Sequence, residues 1–172
     1  MRKIALDNTF ISLLFFANAK APSTVTHPYE RLLSLIDECE KDGHVIYLPT
    51  PALAEVYSAM TNPESLEEKI LATRMFRIAE FNFRAAVILG KAIREAKGRG
   101  DKKGGSSETW AKIKFDHQIV AIAKSNRVNI FYTEDRKQAN YAREQGLVVK
   151  GLNDIEISPD RIQRPIDLKV VK

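Results

Sequence analysis

The sequence predicts an α/β protein, a three-layer α/β/α sandwich around a mainly parallel sheet of about five strands. Short apolar runs alternate with longer amphipathic segments along the chain, and helix-start and helix-stop residues separate them. The chain has 172 residues, of which 44% are hydrophobic and 28% charged, and this composition is typical of a globular domain. We expect one domain over residues 1–153 and a tail over residues 154–172.

Each predicted strand is a short run of mostly apolar residues bounded by polar or turn residues. These runs occupy residues 3–7, 44–48, 76–80, 129–132 and 147–149. The segments between them space their apolar residues as amphipathic helices do, at residues 10–17, 28–41, 52–60, 64–74, 83–97, 115–125 and 137–144. Thr9, Thr50 and Asn82 are predicted to cap helices, and Gly43 and Gly146 to end them.

The composition favours a cytoplasmic protein. Cys39 is the single cysteine, which excludes an internal disulfide and fits a reducing compartment. Arg2, Lys3 and the apolar run 10–17 resemble a signal peptide, but Asp7 falls where such a peptide needs an uninterrupted apolar core. No run approaches the roughly 18 apolar residues that cross a membrane.

Positive charge is concentrated in one segment of the chain. The chain has 27 basic and 22 acidic residues, which gives a net charge of +5. The segment from Lys91 to Lys103 holds six basic and two acidic residues, a local excess of +4. Such a segment favours binding to a polyanion such as nucleic acid. The alternative is a solvated helix end followed by a flexible glycine-rich loop at 98–107.

Four acidic residues stand out by their position. Asp7 ends the first predicted strand and Asp135 follows the fourth, while Glu55 and Asp116 lie inside helices among apolar neighbours. The carboxyl ends of parallel strands form the functional edge of an open α/β sheet. Burying a carboxylate there costs several kcal/mol unless it is paired or binds a metal. Each acid alone is explained by a salt bridge or an exposed helix position, but the four together indicate a shared site.

At these residues the chain resembles the PIN-domain nucleases, and most of all the VapC-type toxins and related stand-alone PIN proteins. The resemblance covers about residues 1–152 and rests on four ordered motifs, each of which contains one of the four acids: Ile4–Leu14, Thr50–Val56, Phe115–Lys124 and Ile130–Arg136. Two segments depart from the family pattern. The stretch Lys97–Glu108 is longer and more basic than usual, and the tail after Asn153 has no counterpart.

The resemblance implies a metal-dependent ribonuclease that leaves a 5′-phosphate and a 3′-hydroxyl. Asp7, Asp116 and Asp135 are then the expected metal ligands, with Glu55 contributing directly or through water. Thr133 is expected to hydrogen-bond the attacking water or a phosphate oxygen, and Asn8 is a weaker candidate for the same role. Oxygen ligands favour Mg²⁺ or Mn²⁺. The ion would relieve the repulsion among the carboxylates and activate water.

The histidines do not suggest a zinc site in the sequence. They are scattered in different local contexts, and no nitrogen or sulfur cluster is evident: His27, His44 and His117. His117 follows Asp116 directly, so on a helix its side chain points about 100° away from that carboxylate. We therefore expect His117 not to bind the metal.

Several basic and aromatic residues are predicted to contact RNA. Lysine and arginine side chains bind phosphates and give salt-dependent affinity without sequence choice, and the candidates are Lys112, Lys114, Arg136, Arg99, Lys102 and Lys103. Trp110 is the preferred residue for base stacking because it lies beside the basic loop. Tyr29, Phe81 and Tyr132 are weaker candidates. The resemblance also implies a homodimer and a small antitoxin-like inhibitor protein.

Two other functional classes remain open on the sequence alone. The first is a non-catalytic RNA-binding or assembly module that has kept the fold, although all four acids are present. The second is a phosphatase or phosphotransfer enzyme with Asp7 as nucleophile. A haloacid-dehalogenase-like site needs an acid two residues after that nucleophile, and here the position is Thr9.

Overall fold

The computed structural model describes residues 1–16, 19–60, 64–100, 103, 107 and 109–161. Within these residues the chain forms five strands, which are β1 (Lys3–Leu6), β2 (Val45–Pro49), β3 (Phe76–Ala79), β4 (Ile130–Tyr132) and β5 (Val149–Lys150). It forms seven α-helices, which are α1 (Asn8–Phe15), α2 (Pro28–Lys41), α3 (Thr50–Ser58), α4 (Glu64–Leu71), α5 (Phe83–Gly98), α6 (Trp110–Ser125) and α7 (Arg136–Glu144). Two 3₁₀ turns, Leu152–Asp154 and Pro159–Arg161, follow β5.

The five strands form one parallel sheet in the order β3-β2-β1-β4-β5. The buried strand β1 is central, with Ala5 opposite Tyr47 of β2 and opposite Phe131 of β4. The chain first winds outward from β1 to β3 and then returns to β4, so the strand order reverses between β1 and β4. This arrangement confirms the predicted α/β fold class and places the switch point beside the end of β1.

The helices cover both faces of the sheet. Right-handed crossovers place α1 to α4 on one face and α5 to α7 on the other. The packing within each group agrees, because α1 contacts α2 and α3, and α6 contacts α5 and α7; α3 and α6 also contact each other. The inner strands β1 and β4 are therefore mostly buried, which is why they are apolar runs in the sequence, whereas the edge strand β3 exposes Arg77 and Ile78.

Three helix starts differ from the sequence predictions. Asp7, not Thr9, caps α1, because its carboxylate accepts a hydrogen bond from Phe10 N at 2.9 Å. Helix α3 already includes Thr50 and follows Pro49 directly. Helix α6 begins at Trp110, five residues before the predicted start, with Thr109 as its cap. As predicted, Asn82 caps α5 through Ala85 N at 3.0 Å.

The segment after β5 packs back onto α2. The Arg31 guanidinium donates to Ile155 O, and Ser158 N donates to Ser34 Oγ at 2.9 Å. Arg161 donates two hydrogen bonds of 2.8 Å to the Asp37 carboxylate. The first part of the predicted tail is thus attached to the helical layer, and residues 162–172 lie outside the described residues.

Among the helices that the structure describes, we find none with the length and apolar character needed to cross a membrane.

Candidate active site

The strand ends at the switch point bring two parts of the site together. Leu6 is in register with Tyr132, and Asp7 N donates to Tyr132 O at 3.1 Å. Beyond that pair the chain continues into Asp7 on one strand and Thr133 on the other, both buried. Residues 7 and 133 are therefore neighbours because the parallel register places them at the same edge of the sheet.

Asp7 is a buried carboxylate with one unused oxygen. Its side chain is 0% exposed, and Oδ2 has no hydrogen-bond partner among the described residues. The pKa of Asp7 is raised from 3.8 to about 7, mainly by burial and to a smaller extent by the charges of nearby Asp135 and Glu134. The adjacent Thr133 hydroxyl and the Phe10 N–H oppose this rise but do not cancel it. A buried carboxylate oxygen without a donor is the chemistry that a divalent cation satisfies.

A hydrogen-bonded chain fixes the loop after β4. Asp135 N donates to Thr133 Oγ1 at 3.0 Å, and the Thr133 hydroxyl donates to Gln138 Oε1 at 3.0 Å. The Asp135 carboxylate caps α7 by accepting from Lys137 N and Gln138 N at 2.7 and 3.0 Å. Gln138 is itself buried, and sequence reasoning missed it. The Asp–x–x–Gln spacing of a capping box was the available signal.

Glu134 is a second residue that sequence reasoning did not assign. Its Oε1 accepts from Leu152 N at the start of the 3₁₀ turn. A Cβ on Gly151 would lie only 2.8 Å from this oxygen, so a larger residue at that position would displace the Glu134 carboxylate. The Glu134 carboxylate is therefore bound to the segment that follows β5, and its charge still raises the pKa of Asp7.

Glu55 reaches the site through Asn8. Helix α3 starts directly after β2, so Glu55 lies in its second turn at the carboxyl end of the sheet. The Asn8 amide donates from Nδ2 to Glu55 Oε2. Asn8 thus links the residue next to Asp7 with Glu55, although Glu55 itself is exposed.

Asp116 lies deeper in its helix than the sequence suggested, in the second turn of α6 rather than at its start. Helix α6 runs antiparallel to the strands because a short turn connects its end to β4. Asp116 precedes Ser125 by nine residues, about 14 Å along the axis, and the four residues of β1 span about 13 Å. Half-buried Asp116 is therefore level with the carboxyl edge of the sheet.

His117 packs against neighbouring rings. It stacks on Tyr141 with ring centroids 3.5 Å apart and planes 12° apart, and the Trp110 ring meets it edge-on at 6.4 Å. Burial lowers the pKa of His117 to about 4, so the ring is neutral near pH 7. Trp110, the preferred base-stacking candidate, is half-buried in this stack.

The predicted acids do not converge closely enough to share one metal ion in this structure. Among the described residues, the one set of three acidic, histidine or cysteine ligand atoms within 4.8 Å of one another is Glu38, Asp42 and His44, far along the strand direction from Asp7. Carboxylates repel when no cation lies between them. The structure therefore places Asp7 beside Asp135, and Asn8 beside Glu55, at one edge without closing them onto a common point.

Most of the predicted RNA-contact residues are exposed. Five basic candidates are at the surface, and Lys102 lies outside the described residues; the exposed five are Lys112, Lys114, Arg136, Arg99 and Lys103. Tyr132 is 5% exposed and packs on Phe10 with centroids 5.4 Å apart, so it is not available for base stacking.

No protein-family model and no curated protein sequence matches this chain. Solved structures match it over most of its length. One match is a chain of VapBC2 from Rickettsia felis bound to a DNA fragment from its promoter, with a TM-score of 0.58 and 14% sequence identity. The alignment covers 87% of this chain and 98% of that chain. VapBC-1 from nontypeable Haemophilus influenzae gives 0.56 at 16% identity, covering 88% of this chain and 98% of its own.

DNA-bound VapBC from Salmonella typhimurium gives a TM-score of 0.54 at 16% identity, covering 88% of this chain and 99% of its own. At sequence identities this low, the structural similarity establishes the fold but does not establish the chemistry. The chain therefore has the α/β fold of these VapBC chains, which is the PIN-like architecture that its sequence predicts.

Proposed function

We propose that this chain is a metal-dependent endoribonuclease that hydrolyses RNA with Mg²⁺ or Mn²⁺. The observation that carries the proposal is Asp7, a fully buried carboxylate at the switch point with one oxygen that has no hydrogen-bond partner in the described part of the chain. The helix cap explains Oδ1 of this carboxylate but not the buried Oδ2, whose unmet bonding capacity costs free energy. A bound divalent ion would satisfy the unpaired oxygen. Buried acids with strongly perturbed pKa values concentrate at functional sites.

Each acid has a distinct part in this proposal. Asp7, Asp116 and Asp135 hold the ion, with Glu55 directly or through water. The ion, when bound, supplies charge neutralisation at the scissile phosphate and an activated water. Asn8 positions Glu55 through its amide hydrogen bond. Thr133 orients the polar groups at the site, since its hydroxyl lies between Asp135 N and Gln138.

RNA is the proposed substrate because exposed basic residues occur on the helices and loop around this edge. Lys112 and Lys114 lie on α6, the helix that carries Asp116, and Arg136 begins α7 beside Asp135. Phosphate contacts from such residues position a polyanion over the acids. Exposed Arg99 and Lys103 add positive charge between α5 and α6, and Lys102 is a proposed phosphate contact from the sequence alone.

A protein partner is also proposed. The matched structures are VapBC complexes, and this chain has their fold. We therefore infer that the chain acts in the cytoplasm as the toxin of a toxin–antitoxin pair. It forms a homodimer, and a small inhibitor places a basic or polar side chain in the acidic site. Co-expression with the product of the adjacent reading frame, followed by size-exclusion chromatography and mass measurement, tests this assembly.

RNA cleavage by acid-to-amide variants tests the catalytic proposal. Asp7→Asn and Asp116→Asn should each lower Mg²⁺- or Mn²⁺-dependent cleavage by about 100-fold or more while circular dichroism stays unchanged. Glu40→Gln on the exposed side of α2 makes the same charge change far from the site and should keep full activity. Equal cleavage in EDTA and in Mg²⁺ would refute the metal dependence.

A non-catalytic RNA-binding module is the second candidate. One observation favours it, namely that the four acids do not form a set of ligand atoms within 4.8 Å in the part of the chain that the structure describes. A Mn²⁺ titration separates the two functions. The nuclease requires Mn²⁺ binding that Asp7→Asn weakens, whereas the binding module shows RNA affinity with no acid-dependent Mn²⁺ binding and no cleavage.

A further inference from the structure

Three ligand-type side chains converge at the opposite end of the molecule, where α2 leads into β2. His44 Nε2 lies 3.8 Å from Asp42 Oδ2 and 3.9 Å from Glu38 Oε1. All three ligand atoms lie within 4.8 Å of one another. We call Glu38, Asp42 and His44 the α2–β2 cluster. It precedes β2, whereas the candidate active site lies beyond the ends of β1 and β4.

The backbone holds this cluster in place. His44 N donates to Cys39 O at 2.8 Å and Gly43 N donates to Glu40 O at 3.4 Å, the two bonds of a Schellman motif. Gly43 supplies the left-handed conformation that the motif requires, with φ of +64°. This turn folds His44 back over the last turn of α2, so that residues four and six positions apart in sequence meet.

His44 provides a separate indication of a ligand. Its side chain is only 8% exposed, and Nε2 has no hydrogen-bond partner among the described residues. The two carboxylates that face Nε2 are too distant for a hydrogen bond. A buried nitrogen without a partner, aimed between two carboxylates, is the arrangement that a cation bound to all three groups would complete.

We propose that the α2–β2 cluster is a binding site for a divalent transition-metal ion, best represented by Zn²⁺. One imidazole and two carboxylates suit this class of ion. Zinc–ligand bonds of about 2.0–2.2 Å separate tetrahedral ligands by about 3.4 Å. The observed 3.8 and 3.9 Å therefore require only a small closure of exposed carboxylates. The carbonyl end of α2 also favours a cation.

Arg2 opposes the ion in two ways. Its guanidinium lies 3.5 Å from Glu38 Oε1 and competes for that carboxylate. Its backbone N–H donates to His44 Nδ1 at 3.4 Å, a long hydrogen bond that puts the proton of the neutral ring on Nε2. Binding through Nε2 moves this proton to Nδ1 and breaks the bond. The proposal therefore predicts a change of tautomer as well as of affinity.

A zinc titration tests the site in the full chain carrying Asp7→Asn, so that the candidate active site contributes less. Calorimetry with Zn²⁺ alone should give one ion per chain. Adding Asp42→Asn should weaken binding roughly tenfold or more. Adding Glu40→Gln, the same charge change on the same helix, should leave it unchanged. Adding Arg2→Gln should tighten it a few-fold, because an exposed competing ion pair is removed.

The ring nitrogens of His44 give a readout independent of affinity. Zinc should convert the ring from the Nε2–H to the Nδ1–H form in long-range ¹H–¹⁵N spectra, and Asp42→Asn should reduce the conversion. RNA cleavage should survive Asp42→Asn in otherwise unchanged protein, because the two sites lie at opposite ends of the strands. Absence of zinc binding, or equal binding by the Asp42→Asn and Glu40→Gln chains, would overturn the proposal.

Discussion

Replacing Asp7 by asparagine should stabilise the metal-free protein at alkaline pH. Asparagine caps a helix as well as aspartate does, so the hydrogen bond from Phe10 N is kept. The substitution removes the charge that the folded chain holds in a fully buried position. Its amide N–H replaces the partnerless Oδ2 and has its own cost, but that cost does not depend on pH.

The magnitude follows from the raised pKa of Asp7, about 7 in the folded chain against 3.8 ordinarily. Between these two values the folded state keeps a proton that the unfolded state has released, so wild-type stability falls as pH rises. Linkage gives a total cost of about 4 kcal/mol above pH 7. About 3 kcal/mol of this cost develops between about pH 5 and pH 8, and Asp7→Asn should lack that part.

Urea unfolding in EDTA at about pH 5 and about pH 8 measures this difference. The advantage of Asp7→Asn over wild type should grow by about 3 kcal/mol, or about 8 °C in Tm, between the two conditions. Asp135→Asn removes a neighbouring charge that raises the pKa of Asp7, so it should reduce the pH dependence of stability by less than Asp7→Asn does. A stability difference between Asp7→Asn and wild type that is the same at both pH values would refute the reasoning.

Three further predictions concern the surroundings of the site. Asn8→Ala removes the donor to Glu55, so cleavage assays should show a several-fold loss while the free energy of unfolding changes by less than about 1 kcal/mol; full activity would contradict this positioning role. With its pKa near 4, His117 should show constant ring resonances from about pH 8 to about pH 5, and titration near 6.5 would contradict its burial. Changing Lys112 and Lys114 to glutamine should lower the salt slope of RNA binding by about 2, and an unchanged slope would exclude them as phosphate contacts.

The sequence was most informative where a strand runs directly into a polar residue. The end of β1 at Asp7 and the end of β4 before Asp135 were predictable because buried parallel strands are continuous apolar runs. Helix α6 was harder, since its cap Thr109 lies just after a glycine-rich segment and its first turn lacks an apolar pattern. The helical spacing of apolar residues therefore predicted only the buried part of α6.

Side-chain partners across the sheet edge could not be predicted. The Thr133 hydroxyl meets Gln138 because the turn at the start of α7 brings the two side chains together, and the sequence pattern does not reveal this contact. His44 was assigned to no cluster because its partners become neighbours only after the turn at Gly43 folds back on α2. In both cases a local backbone motif decides which polar groups converge, and the amino-acid pattern specifies that motif only in part.

The central position of β1 has a consequence for biosynthesis. Asp7 is made before its neighbours Thr133 and Asp135, which follow it in the chain by more than 120 residues. At translation rates of about 5–20 residues per second, this gap lasts on the order of 10 s. A nascent chain thus has only half of the candidate site during this interval. The proposed metal site therefore cannot be complete until α7 has left the exit tunnel.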